Sequence, residues 1–154
     1  MKLTTNRCLI RPLTPADAEA LHAVLSDEAV MRYLEPPFSL EQTQSFIREA
    51  GMCQPPLVHA LVWKETGAVI GHVIFHAYEA DSCEIGWVLA KTHWNKGIAN
   101  EVTERLITAA WDAGSQSCVI ECDPRQTASA RIAQKFGFLP DGMANGCLRY
   151  RLQR

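Results

Sequence analysis

KTHWNKGIANEVTERLITAAWDAG, residues 91–114, sets a Trp, a basic residue and one Gly directly ahead of a long amphipathic segment. Ile98, Val102, Leu106, Ala109, Ala110 and Ala113 fall on one helical face, and Gly114 follows as a C-terminal cap. Just upstream, Glu84 to Leu89 reads as a strand, so the chain runs strand, turn at Gly97, and helix from near Ile98. This order puts backbone N–H groups that lack intrahelical acceptors at the positive end of a helix dipole. Such an end suits an anion, phosphate above all. Gly97 leaves room for close backbone approach, Ala99 is small, and Lys96 adds charge. One Gly in a helix-initiating turn is by itself more often only a turn, and the segment matches neither the Walker loop nor GxGxxG.

Working outward, LVHALVWKETGAVIGHVIFHAYEADSCEIGWVLA (57–90) holds three runs of Val, Ile, Phe and Trp. The short spacers Glu65-Thr66-Gly67 and Glu79-Ala80-Asp81 predict antiparallel hairpins. Beyond the helix, SCVIEC (117–122) reads as a buried strand. Ser129, Ile132, Ala133 and Phe136 line a further helix that Gly137 ends, and CLRYRL (147–152) supplies a closing strand. Toward the N-terminus, CLIRPL (8–13) is a short strand. A helix follows with Thr14 as N-cap, Pro15 in its first turn, Asp17 favourable to the dipole, and Ala18, Leu21 and Leu25 as its apolar stripe. A short helical stretch from Glu28 to Leu34 runs into EPPFS (35–39), whose prolines stop it. Ser39 with Gln42 then makes a capping-box signature for a helix through Ala50. The order β, helices, three β, α, β, α, β predicts a mixed α/β (α+β) domain around one sheet, spanning 1–154 with no linker or repeat.

Composition narrows the function. Of 154 residues, 47% are hydrophobic and 21% charged, ordinary for a globular protein and too apolar for a disordered one. A net charge of −2 argues against nucleic acid as the main partner. No window approaches a membrane span and MKLTTNRCLIRPL lacks a signal-peptide apolar run, so the expected compartment is the cytoplasm, without a membrane partner. Six cysteines occur without a CxxC pair and read as reduced, mostly buried thiols. Cys118 and Cys122 are wider apart than ordinary zinc pairs, and no metal is expected.

HWNKGIANEV (93–102) resembles the coenzyme A pyrophosphate loop of the GNAT acetyltransferases, in the branch that resembles ribosomal-protein N-acetyltransferases. There a Trp, a Lys-Gly pair, a small residue and a Glu recur in this order. The superfamily pattern is Q/R-x-x-G-x-G/A; Trp94 stands at the Q/R position and Asn95 replaces a frequent Gly. CLIRPLTPADA (8–18), CEIGWVLAKTHW (83–94) and TASARIAQKFGF (127–138) fit in order, so the resemblance covers nearly the whole chain. It implies a GNAT-like central sheet, mostly antiparallel and twisted, flanked by helices, with strands splayed at the cofactor site.

The same resemblance implies acetyl-CoA as the cofactor and assigns residues to it. Trp94, Asn95, Lys96, Gly97, Ile98, Ala99 and Asn100 would form the loop. In similar proteins the preceding strand bulges and splays, freeing backbone groups for the pantetheine arm and the thioester carbonyl; here those are Trp87, Val88 and Leu89. Ser129 lies in the family's Asn-x-x-Ser motif, here Gln126-Thr127-Ala128-Ser129, as the donor to the leaving thiolate, although a Ser at a helix start is first of all a cap. Gln126 departs from the usual Asn, and its amide remains able to bond pantetheine or backbone. Arg131 and Lys135 are similar to residues near the adenosine and phosphate end, and equally are ordinary solvated charges. Tyr33, Pro36, Pro37 and Phe38, with PDGMANG (140–146), would line the acceptor pocket; EPPF is equally a helix stop packed on the core.

Acetyl transfer to an amine needs a neutral amine, a stabilised oxyanion and a proton for the thiolate. Glu84 is the only ionisable group in SCEIGWVL, and alternation sets it with Gly86 and Val88, opposite Cys83, Ile85 and Trp87. It is the candidate general base, directly or through water, and a substrate-side residue; the competing reading is a salt-bridged strand Glu. His72 and His76 share a strand face about 13 Å apart, too far to chelate one ion, and His59 is a substrate-side candidate. The leading function is direct acetyl transfer from acetyl-CoA to a primary amine, a peptide N-terminus or a small amine. The alternatives are a catalytically silent acyl-CoA-binding module or sensor, and a metal- or nucleotide-binding regulator. A monomer or homodimer is expected.

Overall fold

The computed structural model describes residues 1–154. Eight strands form one sheet: β1 (Leu3–Thr4), β2 (Cys8–Arg11), β3 (Val58–Trp63), β4 (Val69–Ala77), β5 (Ser82–Leu89), β6 (Ser117–Cys122), β7 (Leu139–Ala144) and β8 (Cys147–Gln153). Their order is β1-β2-β3-β4-β5-β6-β8-β7, and only β5 with β6 is parallel. The helices are α1 (Ala18–Leu25), α2 (Glu28–Met31), α3 (Leu40–Phe46), α4 (Ile98–Asp112) and α5 (Thr127–Lys135). No helix is long and apolar enough to cross a membrane.

The alternation of β5 divides the protein into two cores. Cys83, Ile85 and Leu89 face Ile98, Val102, Leu106 and Ala110 of α4, while Val88 faces Leu21, Val24 and Leu25 of α1 on the other side. Ile98, Val102 and Leu106 are almost wholly buried. Each stabilises by about 1.5–3 kcal/mol, which fixes the N-terminus of α4 against the end of β5.

The structure departs from the sequence expectations at several points, one being that the helix from Glu28 ends at Met31 and not at Leu34. Leu3–Thr4 adds a short edge strand whose two residues are too few to leave a pattern. PDGMANG is not a loop: Leu139–Ala144 pairs with β8, and only Asn145-Gly146 turns, with φ of 50° and 80°. Those angles are the left-handed pair that a two-residue hairpin demands. The segment from Ser39 does begin with a capping box, but its last turn widens into a π-helical turn over Ile47–Gly51. The helix after Thr14 starts as a 3₁₀ turn, Pro15–Asp17. There the Asp17 carboxylate accepts the Thr14 N–H at 2.8 Å and grips the Arg11 guanidinium with both oxygens.

Candidate active site

β5 and β6 pair only through Ser82, Cys83 and Glu84, opposite Ser117, Cys118 and Val119. Beyond that point β6 continues with β8 alone. The Tyr78 N–H to Ser82 carbonyl bond and the Ala90 N–H to Ile70 carbonyl bond set the phase of the β4–β5 ladder. In that phase Glu84, Gly86 and Val88 spend their backbone groups on β4, and those of Ile85, Trp87 and Leu89 point toward the gap. One of them is satisfied: Trp94 Nε1–H donates to the Leu89 carbonyl at 2.9 Å.

The gap opens onto the start of α4. Asn95 and Gly97 both take left-handed backbone angles, φ 57° and 76°, so the chain turns sharply on either side of Lys96. The first α4 hydrogen bond runs from Glu101 N–H to the Gly97 carbonyl, leaving the N–H groups of Ile98, Ala99 and Asn100 without helical acceptors. Asn100 Oδ1 is also buried without a partner.

Glu101 holds this end in place. Its carboxylate accepts the Arg7 backbone N–H at 2.6 Å and Arg7 Nε–H at 2.8 Å, tying α4 to the turn between β1 and β2. Burial raises the Glu101 pKa, but the hydrogen bonds from Thr5 and Arg7 outweigh it and hold the carboxyl below its usual range. Glu101→Ala is expected to cost about 1.5–3 kcal/mol, read as a lower urea midpoint, and to loosen whatever binds at residues 97–100. An unchanged midpoint would mean that the pair does no structural work.

A cleft of about 570 Å³ joins these parts. Of the expected residues, Trp87, Val88, Leu89, Trp94, Asn95, Gly97, Ile98, Ala99, Asn100, Gln126, Ser129 and Tyr33 line it together. Lys96, Phe38, Glu84, Arg131 and Lys135 do not. Lys96 is exposed on the outer side of the turn. Phe38 packs edge-on against Phe46, with ring centroids 5.9 Å apart, on the α1 core, so here the helix-stop reading of EPPF holds. His59 is fully buried with both ring nitrogens unpartnered, and so is no substrate-side residue.

Ser129 is the third residue of α5, not its cap; Gln126 occupies the cap position. The Gln126 amide oxygen accepts the Asp123 N–H at 2.9 Å, closing the β6–α5 turn. The Ser129 hydroxyl makes no hydrogen bond within the protein and is half-buried at the cleft wall, an uncommitted donor. Across the cleft, Tyr33 lies between two guanidinium groups, Arg32 at 5.2 Å and Arg125 at 4.9 Å from its ring centroid. Arg125 is itself held by Asp123 at 2.8 Å. The sequence reading missed Arg32 and Arg125, because neither belongs to a periodic pattern and their meeting depends on the α2 and β6–α5 segments converging.

Glu84 sits on the sheet face opposite α4, at the last paired position before the gap. Its surroundings are not apolar: His76 Nε2 lies 3.3 Å from Glu84 Oε2. Glu84 and His76 are direct partners in the β4–β5 register, a relation that strand alternation alone could not reveal without the hairpin register.

Comparison with known proteins agrees with this geometry. The signature of the acetyltransferase (GNAT) domain matches residues 7–139. The uncharacterized N-acetyltransferase YoaA of Bacillus subtilis is 33% identical over 153 residues, covering 92% of this chain and 84% of that protein. The crystal structure of a GNAT-family acetyltransferase from Bacillus anthracis superposes with a TM-score of 0.88 at 26% identity, covering 99% of this chain and 98% of the other. RimL, a ribosomal L7/L12 alpha-N-protein acetyltransferase solved with coenzyme A, has the same fold, with a TM-score of 0.83, 21% identity and coverage of 99% and 98%.

Proposed function

The chain belongs to the GNAT acetyltransferase family, and from that premise we propose that it moves an acetyl group from acetyl-CoA directly to a primary amine, on a peptide N-terminus or a small molecule. The observation that carries this reading is the parting of β5 from β6 beyond Glu84, which opens onto three free N–H groups of α4. The residues present fit the cofactor. Ile98, Ala99 and Asn100 offer N–H donors to a pyrophosphate, Gly97 keeps that approach open, and the orphaned Asn100 Oδ1 is an acceptor for an amide N–H. Trp87 presents its backbone groups, and Leu89 its N–H, to the pantetheine arm across the gap.

Acetyl-CoA, when bound, supplies the acetyl group as a thioester. Glu84, at the last position of β5 that still pairs with β6, takes the proton of the acceptor ammonium through water that reaches it from the cleft. In the transfer, which would form the nitrogen–carbon bond and break the carbon–sulfur bond, Ser129 Oγ–H would donate its proton to the leaving thiolate and recover one from the new amide nitrogen. Trp94 acts indirectly: by capping the Leu89 carbonyl it fixes the turn to the strand end.

The test is calorimetric titration with acetyl-CoA, followed by thiol release over a panel of amines and N-terminal peptides. Saturable binding with release is the expected result. Binding without release from any acceptor would leave an acyl-CoA sensor, and no binding by folded protein would end the reading. Gly97→Asp should weaken acetyl-CoA binding at least about ten-fold. A side chain at φ +76° costs about 1–2 kcal/mol, and a carboxylate beside the free N–H groups competes with the phosphates. Unchanged affinity in a folded variant would remove the anion site from residues 97–100.

A further inference from the structure

His76 stands outside the cleft, yet its ring is fixed at both nitrogens. Nδ1 lies 2.8 Å from the Ala77 carbonyl oxygen. A carbonyl only accepts, so Nδ1 carries the hydrogen of the neutral ring and Nε2 is left with its lone pair. That lone pair faces Glu84 Oε2 at 3.3 Å. Two acceptors at this distance attract a proton between them, so the pair is a seat for one proton that it can hold or give up.

The surroundings favour that proton. Glu84 of β5 and Glu121 of β6 both act on His76 electrostatically. Tyr78, just after β4, donates its hydroxyl hydrogen to Glu121. Cys147 of β8 feels the same two glutamates, together with Asp123. Arg149 of β8, the neighbouring cation, is engaged by Glu79 and Asp141. The hydrogen bond to Glu84 raises the His76 pKa above its ordinary 6.5, against the opposing effect of burial.

We propose that His76 is the positioning residue and proton store of the base, holding the Glu84 carboxylate at one oxygen from the β4 side and receiving, at Nε2, the proton that Glu84 takes through water from the acceptor ammonium. This rests on the assignment of Glu84 made above. The balance is simple. One ammonium proton passes through Glu84 to His76 Nε2, giving an imidazolium–carboxylate pair, and leaves from the partly exposed ring to solvent at the end of the cycle. The net release is one proton per acetyl group transferred. His76 must be unprotonated at the start of each turnover, so the acid limb of the rate profile belongs to the pair and not to a lone carboxylate.

The experiment combines three proteins and three readouts. In wild type, kcat/KM for the panel amine of highest turnover should fall as pH drops through a midpoint above about 6.5. In His76→Gln, which can still donate to both the Ala77 carbonyl and Glu84, that limb should move down by at least one pH unit and the plateau should drop about ten-fold. Glu84→Gln should lose about 100-fold or more. Acetyl-CoA affinity should stay the same in both. Independently, the His76 ring followed by NMR should titrate above 6.5 in wild type and return toward 6.5 in Glu84→Gln. That measurement needs no acceptor and no substitution at His76. An acid limb unmoved in His76→Gln, or a His76 midpoint unmoved in Glu84→Gln, overturns the proposal. Wild-type turnover in Glu84→Gln would instead overturn the assignment of Glu84 itself.

Discussion

Gly71→Ala should lose the binding site together with the fold around it, at a cost of about 4 kcal/mol or more, in the range of the most damaging single substitutions. Gly71 lies in β4 just beyond the register shift against β3, opposite Leu89 of β5. Its φ is +154°, and a Cβ added there would stand 1.9 Å from the Val88 carbonyl oxygen, 3.0 Å from the Val88 carbonyl carbon and 3.2 Å from the Leu89 Cα. All three are backbone atoms, so no rotamer change relieves the overlap; β5 itself has to move. The displaced residues are those whose strand forms one wall of the cleft. Urea unfolding should reveal the loss, and any protein that still folds should bind acetyl-CoA poorly. Gly67→Ala is the control: its φ of +72° strains a side chain, but nothing lies within 4 Å, so only about 1–2 kcal/mol is at stake. Equal midpoints for the two variants would refute the close-approach argument.

Gly71 also marks what was legible in the sequence and what was not. The 84–114 stretch predicts strand, turn and helix with bounds close to those observed, because the period of α4 and the turn signal of Gly97 are local properties. The loop, the β5 wall and Ser129 follow from that stretch and its neighbours, and all but Lys96 of the loop line one cleft. What escaped depends on contacts between distant segments. The bulge at Gly71 is set by β3 and β5 together, His76 meets Glu84 only through the hairpin register, and Arg32 and Arg125 meet over Tyr33 only in the folded chain. β7 was hidden for another reason. It carries Pro140, Asp141 and Gly142 at a register irregularity, residues that are scarce in strands, and its pairing with β8 overrides their preference. Glu84 was expected among apolar neighbours because its own strand is apolar; the polar partner came from the adjacent strand.

The protein should lose stability as pH falls from 6.5 toward about 4, a loss that begins well before carboxylates protonate. His59 and His72 are both buried, with His59 unpartnered at both ring nitrogens and His72 at Nδ1. Burial pushes each pKa down to about 4 from 6.5, with the nearby N-terminal charge adding to the effect at His59. Between those values the unfolded chain binds protons that the folded chain refuses, so stability is intact above 6.5 and falls as pH drops. The slope approaches about 1.4 kcal/mol per histidine for each pH unit, so the two together remove about 6 kcal/mol by pH 4, comparable with the lower end of ordinary folding free energies. His76 works in the opposite sense, since its raised pKa adds stability below 6.5 that disappears as pH rises past its folded value. It opposes the loss but is one group against two. The lowered carboxyls of Asp17 and Glu101 give up their contribution only at lower pH, as each is protonated through its folded value. Urea midpoints at pH 7.5, 6, 5 and 4.5 should therefore fall continuously, and His59→Phe and His72→Phe should each flatten the curve. The consequence reaches the site, because His72 pairs with Val88 in the β4–β5 ladder and packs against Phe46 at 5.1 Å. Protonating His72 forces open the seam between α3 and the strand that walls the cleft, so acetyl-CoA should raise the midpoint more at pH 5.5 than would a ligand indifferent to β5. A flat stability profile from pH 7.5 to 4.5 would mean that both rings find partners or water when charged.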